Sequence, residues 1–273
     1  MSKRDLRKLI EEKVVRGWDD PRLSTLKAIR RRSVPPGPLL SFIHEFGVTT
    51  TQSSIDVKRF EQSIRRDLER TVPRLMLVLD PVRVTIEDAE EQDLDIPFNS
   101  KDSKMGSHNI RLTRSVHIDR SDFREAISFT KDEVTGAVFD KDGKNPKAYI
   151  QWVPEGSPTA QVRIHTAPFK SDDPKTAPGG FVNDINPDSE TIWPNAMIET
   201  GFYQVRQRAL WPEAEVKSNK TDRLEPENIR YHAIRIAYFV MPCYWLVCDS
   251  DSTDDGIVLN RIVPLKEDSN KGD

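Results

Sequence analysis

Val72-Pro73-Arg74-Leu75-Met76-Leu77-Val78-Leu79-Asp80-Pro81-Val82-Arg83-Val84-Thr85-Ile86-Glu87 is the stretch where the chain changes period. Pro73 lacks an N–H and restricts Val72, so a helix arriving from upstream must end there. Leu75 to Leu79 then form an unbroken apolar run. Val82, Val84 and Ile86 alternate with Arg83, Thr85 and Glu87, the pattern of a half-buried strand. Helices are expected before this point and strands after it.

Upstream, Ser2 and Asp5 have the spacing of a capping box, and Leu6, Leu9, Ile10 and Val14 follow as one helical stripe that Gly17 is placed to end. Asp19-Asp20-Pro21-Arg22 cannot continue a helix. Ser24 or Thr25 can cap a second helix with Leu26 and Ile29 on it, ending in Arg30-Arg31-Arg32. Pro35 to Pro38 mark a turn, and Leu39, Leu40, Phe42, Ile43 and Phe46 fill a third helix stopped by Gly47. A fourth runs from Ser54 to about Thr71 with Val57, Phe60, Ile64 and Leu68 on one side. Short helices joined by tight turns suit a compact helical subdomain.

Downstream, strands are expected at Val116–Ile118, Tyr149–Val153, Val162–Ile164, Ile234–Val240 and Ile257–Val263. Polar punctuation separates them at Asp140–Pro146, Pro154–Pro158, Ser171–Gly180 and Ser218–Asn228. Trp193-Pro194 and Trp211-Pro212 read as turn-like pairs. Many short strands with such spacers indicate sandwich or barrel architecture. Lys266 to Asp273 reads as a frayed tail.

The 273 residues carry a net charge of -3, which taken alone argues against a nucleic-acid binder, but the average hides an asymmetry. Residues 1–40 hold 11 Lys and Arg against 5 Asp and Glu, a net of +6, so the remainder carries -9. A basic block at one end of an acidic chain suits a polyanionic partner; a solvated basic helix face is the other reading. Arg30–Arg32 likewise suit either phosphate contact or the negative end of their helix dipole. The 2 cysteines exclude a disulfide scaffold and a cysteine zinc site, and point to a reducing compartment. The longest apolar run, Ile236–Cys248, is shorter than the ~20 residues of a membrane span. Met1-Ser2-Lys3-Arg4-Asp5 leads into no apolar stretch, so no signal peptide is expected and a cytoplasmic location is.

Chemistry-bearing motifs are sparse. There is no GxGxxG, no GxxxxGK[ST] and no GxSxG. His44, His108, His117, His165 and His232 have no metal-ligand spacing, and no pair of acids stands out for acid–base work. Neither a catalytic residue nor a metal site is expected within the chain.

A resemblance does stand out. Met1-Ser2-Lys3-Arg4, Gly17-Trp18-Asp19-Asp20-Pro21-Arg22 and Thr25-Leu26 with Arg30-Arg31-Arg32 resemble glutaminyl-tRNA synthetases, from that family's version of the class I KMSKS loop onward. The resemblance continues in order through Val72-Pro73-Arg74, Leu79-Asp80-Pro81-Val82, Lys104-Met105-Gly106-Ser107 and Ile118 to Glu125. It then runs through Lys147 to Val153, Asp184 to Ser189, Trp211-Pro212-Glu213 and Val258-Leu259-Asn260-Arg261. It is best for the eukaryotic cytosolic form. Glutamyl-tRNA synthetase shares residues 17–22 and fits the later segments less well.

The resemblance implies an α+β chain: a short N-terminal helical subdomain followed by two mainly antiparallel β-barrels that bind the anticodon. Residues 1–73 would hold the KMSKS-like loop and helical connection, and 74–268 the anticodon-binding region. Within that region the proximal barrel would come from about 74–125 and 200–266, the distal one from about 126–199, with 269–273 as tail. It implies glutamine–tRNA ligase function, ATP-dependent attachment of glutamine to tRNA in protein biosynthesis, with ATP as Mg-ATP. Lys3 would stabilise the triphosphate and Ser2 would support the loop. Arg22, Arg30, Arg31 and Arg32 would contact tRNA phosphates. Arg74 stands where the family reads an anticodon base; a salt-bridged junction arginine is the plain alternative. His232 stands where the family has a glutamine that reads the anticodon.

Four departures qualify it, the first being His232 itself in place of that glutamine. The nucleotide-binding fold with the HIGH signature would precede residue 1, so the chain is expected not to activate glutamine by itself; ATP and glutamine would engage only with that domain. The stretch after Phe123-Arg124-Glu125 is shorter than the family's. Val240–Cys248 looks inserted. The partner expected of this chain is a glutamine tRNA, with neither DNA nor membrane. The alternatives are a stand-alone non-catalytic RNA-binding protein and a glutamyl-tRNA synthetase fragment.

Overall fold

The structure is a computed structural model and describes residues 2–47, 56–86, 90–123, 150–171, 173–208, 229–241 and 256–266. The expectations at Trp211-Pro212, Asp140–Pro146 and Ser218–Asn228, the segment from Arg124, residues 242–248 of the apolar run with both cysteines, and the tail from 267 lie outside these residues.

Four helices open the chain: α1 (Lys3–Glu11), α2 (Leu26–Arg31), α3 (Pro36–Phe46) and α4 (Val57–Thr71). The Ser2–Asp5 capping box is formed, Thr25 caps α2 and Gly47 ends α3 at φ 70°. Helix α1 stops before Gly17, at Glu11, because Lys13 takes a left-handed conformation (φ 58°). Its N–H donates to the Ile10 carbonyl, and Val14 N–H to that of Leu9, the paired bonds of a Schellman end. Ser33 (φ 54°) ends α2 in the same way, with Ser33 N–H to Arg30 and Val34 N–H to Ile29. Both ends use a residue other than glycine, so glycine spacing does not reveal them.

Among the described residues twelve strands follow: β1 (Arg74–Leu75), β2 (Leu77–Val78), β3 (Pro81–Thr85), β4 (Gln92–Pro97), β5 (Ser107–Leu112), β6 (Ser115–Asp119), β7 (Trp152–Pro154), β8 (Thr159–His165), β9 (Glu190–Ile198), β10 (Arg230–Ala233), β11 (Ala237–Val240) and β12 (Ile257–Pro264). Helix α5 (Gly201–Arg208) sits between β9 and β10. Seven strands form one sheet in the order β1-β10-β11-β12-β8-β9-β2. Its outermost strands, β1 and β2, are separated in sequence only by Met76, so the sheet must curl until its ends nearly meet. The result is a nearly closed barrel. Its joins are antiparallel except β1–β10 and β12–β8. Leu75, Leu77, Val162, Ile198, Phe202, Tyr231, Phe239 and Leu259 fill its core.

A three-stranded antiparallel sheet β3-β6-β7 and the antiparallel pair β4-β5 make a second core from Ile110, Leu112, Val116, Ile118 and Trp152. The α+β class stands. Strands β8 and β9, which the resemblance assigns to a distal barrel over 126–199, pair among the described residues into the sheet that holds β10–β12. The join responsible, β8 with β12, links residues about a hundred positions apart, which no local pattern encodes. Trp193-Pro194 is likewise no turn. It lies within β9, beside a bulge where the register against β8 slips between Ala160 and Val162. A proline is tolerated there because the ladder is already interrupted.

Helix α4 lays Ile64, Leu68 and Val72 on the outside of this sheet, against Tyr238, Val240, Ile262 and Val263. Helix α1 packs Leu9 with Val15, Leu23 and Ala28, and with Phe169, Phe181 and Ile185 of the β8–β9 connection. The basic N-terminal segment is thus mounted on the barrel.

Candidate nucleic-acid interface

The first α1 residue, Lys3, lines an open groove of about 530 Å³ with Arg7, Trp18, Thr25, Leu26 and Lys27. Ser2 Oγ accepts the Asp5 N–H at 3.3 Å, and Asp5 Oδ2 accepts the Ser2 N–H at 2.8 Å. Ser2 therefore fixes where Lys3 starts. Three cations around an indole and a 73% exposed Leu26 suit a ligand with phosphates and a flat apolar part. Arg7, Trp18 and Lys27 were not singled out from the sequence. The i, i+4 step from Lys3 to Arg7 could have found one of them.

The four arginines expected at tRNA have different surroundings. Arg22 is engaged inside the protein: Nε and Nη2 donate to the Asp20 carboxylate at 2.9 and 2.7 Å, Nη1 to Ser189 Oγ at 3.0 Å, and Nη2 also to the Val14 carbonyl. Burial alone would raise the Asp20 pKa. The Arg22 hydrogen bonds and the backbone N–H of Arg16 outweigh it and hold that carboxyl at about 2. Beside it, Arg16 Nη2 donates to both oxygens of Glu190 at 2.8 Å, and His165 Nε2 lies 3.2 Å from Oε1. Arg22 and Arg16 together clamp the 14–22 turn onto the start of β9. Arg31 pairs with Asp19 at 2.6 Å, with 9% of its side chain exposed. Arg30 is exposed. Arg32 is half-buried, its Nε is buried without a hydrogen-bond partner, and burial lowers its pKa.

Arg74 and His232 are brought together. They are register partners in the parallel join of β1 and β10. Arg74 Nη1 donates to Ser100 Oγ at 3.2 Å, while its Nε is buried and unpartnered. The His232 ring stacks on Tyr238 with centroids 4.6 Å apart, and both ring nitrogens lack partners among the described residues. Burial pushes the His232 pKa down to about 4, helped by the Arg74 charge and opposed by Glu69. At neutral pH the ring is therefore uncharged, with one donor and one acceptor nitrogen. Lys101 Nζ bonds Glu69 Oε1 at 2.9 Å at the edge of this group. An aromatic stack, a neutral imidazole and an incompletely bonded guanidinium have the chemistry that reads unstacked bases. Sequence alone could not bring the two together, because 158 positions separate them.

Among the described residues, no helix is long and apolar enough to cross a membrane.

Known sequences match the chain along its length. Residues 1–70 match the family described as tRNA synthetases class I (E and Q), catalytic domain, and residues 72–136 match the anti-codon binding domain of the same class. The glutamine–tRNA ligase protein virJ of Hypocrea virens is 62% identical over 99% of this chain and 45% of its own length. Glutamine–tRNA ligase of Saccharomyces cerevisiae is 37% identical over 99% of the chain and 39% of its own length. The cytoplasmic glutamine–tRNA ligase of Arabidopsis thaliana is 31% identical over 100% and 36%. The chain thus spans less than half the length of these relatives. By these matches the chain belongs to the class I glutamyl/glutaminyl-tRNA synthetase family, and along its whole length it is similar to the C-terminal part of glutamine–tRNA ligases.

Proposed function

We propose that this chain is the tRNA-binding, anticodon-directed portion of a cytoplasmic glutamine–tRNA ligase, and that its cognate ligand is a glutamine tRNA. The observation that carries the reading is the Arg74–His232 pair, whose ring nitrogens and Nε have no partner among the described residues. Leaving such groups unsatisfied is costly, and a base edge would satisfy them. The helical part, 1–73, supplies phosphate contacts that position the RNA, chiefly through exposed Arg30 and the Lys3–Arg7–Lys27 groove. The β region, 74–268, supplies base recognition. Lys3, Arg7 and Lys27 also fit the phosphates of ATP: three cations on one groove offset its charge once the catalytic domain completes the site. On this reading, glutamine attachment is the work of the complete ligase.

The test is binding of labelled tRNA to the 273-residue chain across a salt series. Affinity for glutamine tRNA should exceed that for a control tRNA, and log K should fall linearly with log salt. Equal affinity for both, or binding indifferent to salt, contradicts the reading. No glutaminyl-tRNA should form from ATP, glutamine and this chain alone.

A further inference from the structure

Arg74 is held from both edges of its strand. On one edge, the Pro73 and Leu75 carbonyls accept the N–H groups of His232 and Ile234 at 2.8 and 3.1 Å. On the other, the Arg74 N–H donates to the Phe98 carbonyl at 2.7 Å, and the Met76 carbonyl accepts the Glu199 N–H at 3.1 Å. Ser100, two residues after Phe98, accepts Arg74 Nη1 at 3.2 Å. This second grip comes from two separate parts of the chain, the residue that follows β4 and the turn from β9 into α5.

One side chain joins those parts. His108 on β5 stacks on the Phe98 ring with centroids 4.4 Å and planes 19° apart, and its Nε2 lies 3.1 Å from Glu199 Oε1. Both side chains of that pair are buried, 0% and 1% exposed. Phe98 is buried as well, and its N–H donates to the Gly106 carbonyl at 3.0 Å. Gly201, lacking a Cβ, lets α5 close directly on the histidine ring. An apolar pair of similar volume would stabilise such a spot as well as a desolvated histidine and glutamate do. What the polar pair adds is direction, since a contact between Nε2 and Oε1 holds only over a narrow range of distance and angle. Phe98 and Glu199 are thereby fixed relative to each other.

We propose that His108 and Glu199 are positioning residues for base recognition, locking the two outer anchors of Arg74 so that its guanidinium meets an anticodon base in one orientation. The inference rests on the base-reading role proposed above for Arg74. The path is three contacts long: Glu199 to His108, His108 to Phe98, and Phe98 to the Arg74 backbone. Phe98 also carries Ser100 with it, so one displacement disturbs the arginine at its backbone and at its tip. A shift of about 1 Å is enough to spoil a site that reads by hydrogen bonds.

The test is competition binding of the full chain with the anticodon stem-loop of a glutamine tRNA and the same hairpin carrying a changed anticodon. The proteins are wild type, Glu199→Gln and the double variant His108→Phe/Glu199→Ala, each with and without Arg74→Ala. Glutamine keeps the length and a polar contact to His108, so Glu199→Gln should discriminate within about twofold of wild type. In the double variant, phenylalanine fills the space of the carboxylate without a directed contact. It should unfold cooperatively in urea, yet its preference for the unaltered hairpin should fall about threefold or more. With Arg74→Ala already present, the same double change should alter hairpin binding by less than about twofold, a result that general loosening of the fold would not give. Should the double variant not unfold cooperatively, Glu199→Met, which keeps the side-chain length, is held to the same two criteria. A variant lacking the polar contact that discriminates as well as wild type, a loss that persists undiminished beside Arg74→Ala, or a Glu199→Gln variant as impaired as the double one overturns the positioning role. Wild type that binds both hairpins alike refutes the base-reading role itself, whereas wild type that discriminates beside an unimpaired double variant refutes only the positioning.

Discussion

Arg74 and His232 face each other across the parallel join of β1 and β10, where the His232 N–H donates to the Pro73 carbonyl at 2.8 Å. Pro73 thus does two things: it stops α4 and it accepts the bond that sets His232 beside Arg74. The proton state of His232 is the first consequence. In the unfolded chain its imidazole gains a proton near pH 6.5, whereas in the fold burial and Arg74 delay this to about 4. The stability it contributes is complete above pH 6.5 and is lost as pH falls through that window to about 4. His232→Gln should flatten the stability curve between pH 6.5 and 4, by up to about 3 kcal/mol. Urea unfolding at several pH values measures it.

The Arg16–Glu190–His165 group ties the N-terminal segment to β9. The His165 hydrogen bond, with Arg16 and against the effect of burial, holds the Glu190 carboxyl at about 2. That contribution is present above the ordinary carboxylate value near 4.5 and is lost as pH falls toward 2. Glu190→Gln should cost about 1–3 kcal/mol at pH 7 and remove part of the acid sensitivity below pH 4.5. Chemical unfolding monitored by tryptophan fluorescence would report it.

Neighbouring arginines should behave differently. Arg30 is exposed, whereas Arg31 pairs with Asp19. Arg30→Ala should weaken binding of every tRNA alike and lower the salt slope by about 1, with little change in stability. Arg31→Ala should lower the thermal midpoint. Melting curves and binding isotherms on the two variants separate these outcomes.

Gly201 opens α5 directly against the buried His108 ring. A Cβ there would lie 2.5 Å from His108 Cδ2. The ring cannot retreat, because it stacks on Phe98 at 4.4 Å and meets Glu199 Oε1 at 3.1 Å. Gly201→Ala should therefore destabilise by about 1–3 kcal/mol although alanine favours helices, as denaturant midpoints would register.

The helices were readable because their signals are local: Ser2, Thr25, Pro36 and Gly47 each act within one turn. Their ends were less so, since Lys13 and Ser33 adopt left-handed conformations that glycine would announce. Strand β9 was hidden by Trp193-Pro194, and the curl of the main sheet by the distant β8–β12 and β1–β10 joins. Within the candidate site, Lys3, Arg74 and His232 could be picked out only through the family resemblance. Arg22 shows the reverse case, since a basic residue in a motif-like turn has its donors directed inward, to Asp20 and Ser189.

The most direct test is competition binding with the isolated anticodon stem-loop of a glutamine tRNA and the same hairpin carrying a changed anticodon. Wild-type chain should prefer the unaltered hairpin by about tenfold or more, and Arg74→Ala should reduce its affinity by 1–3 kcal/mol, roughly 5- to 150-fold, while leaving the altered hairpin nearly unaffected. Equal binding of the two hairpins by wild type, or an Arg74→Ala variant that discriminates as well as wild type, would contradict base reading at the join of β1 and β10.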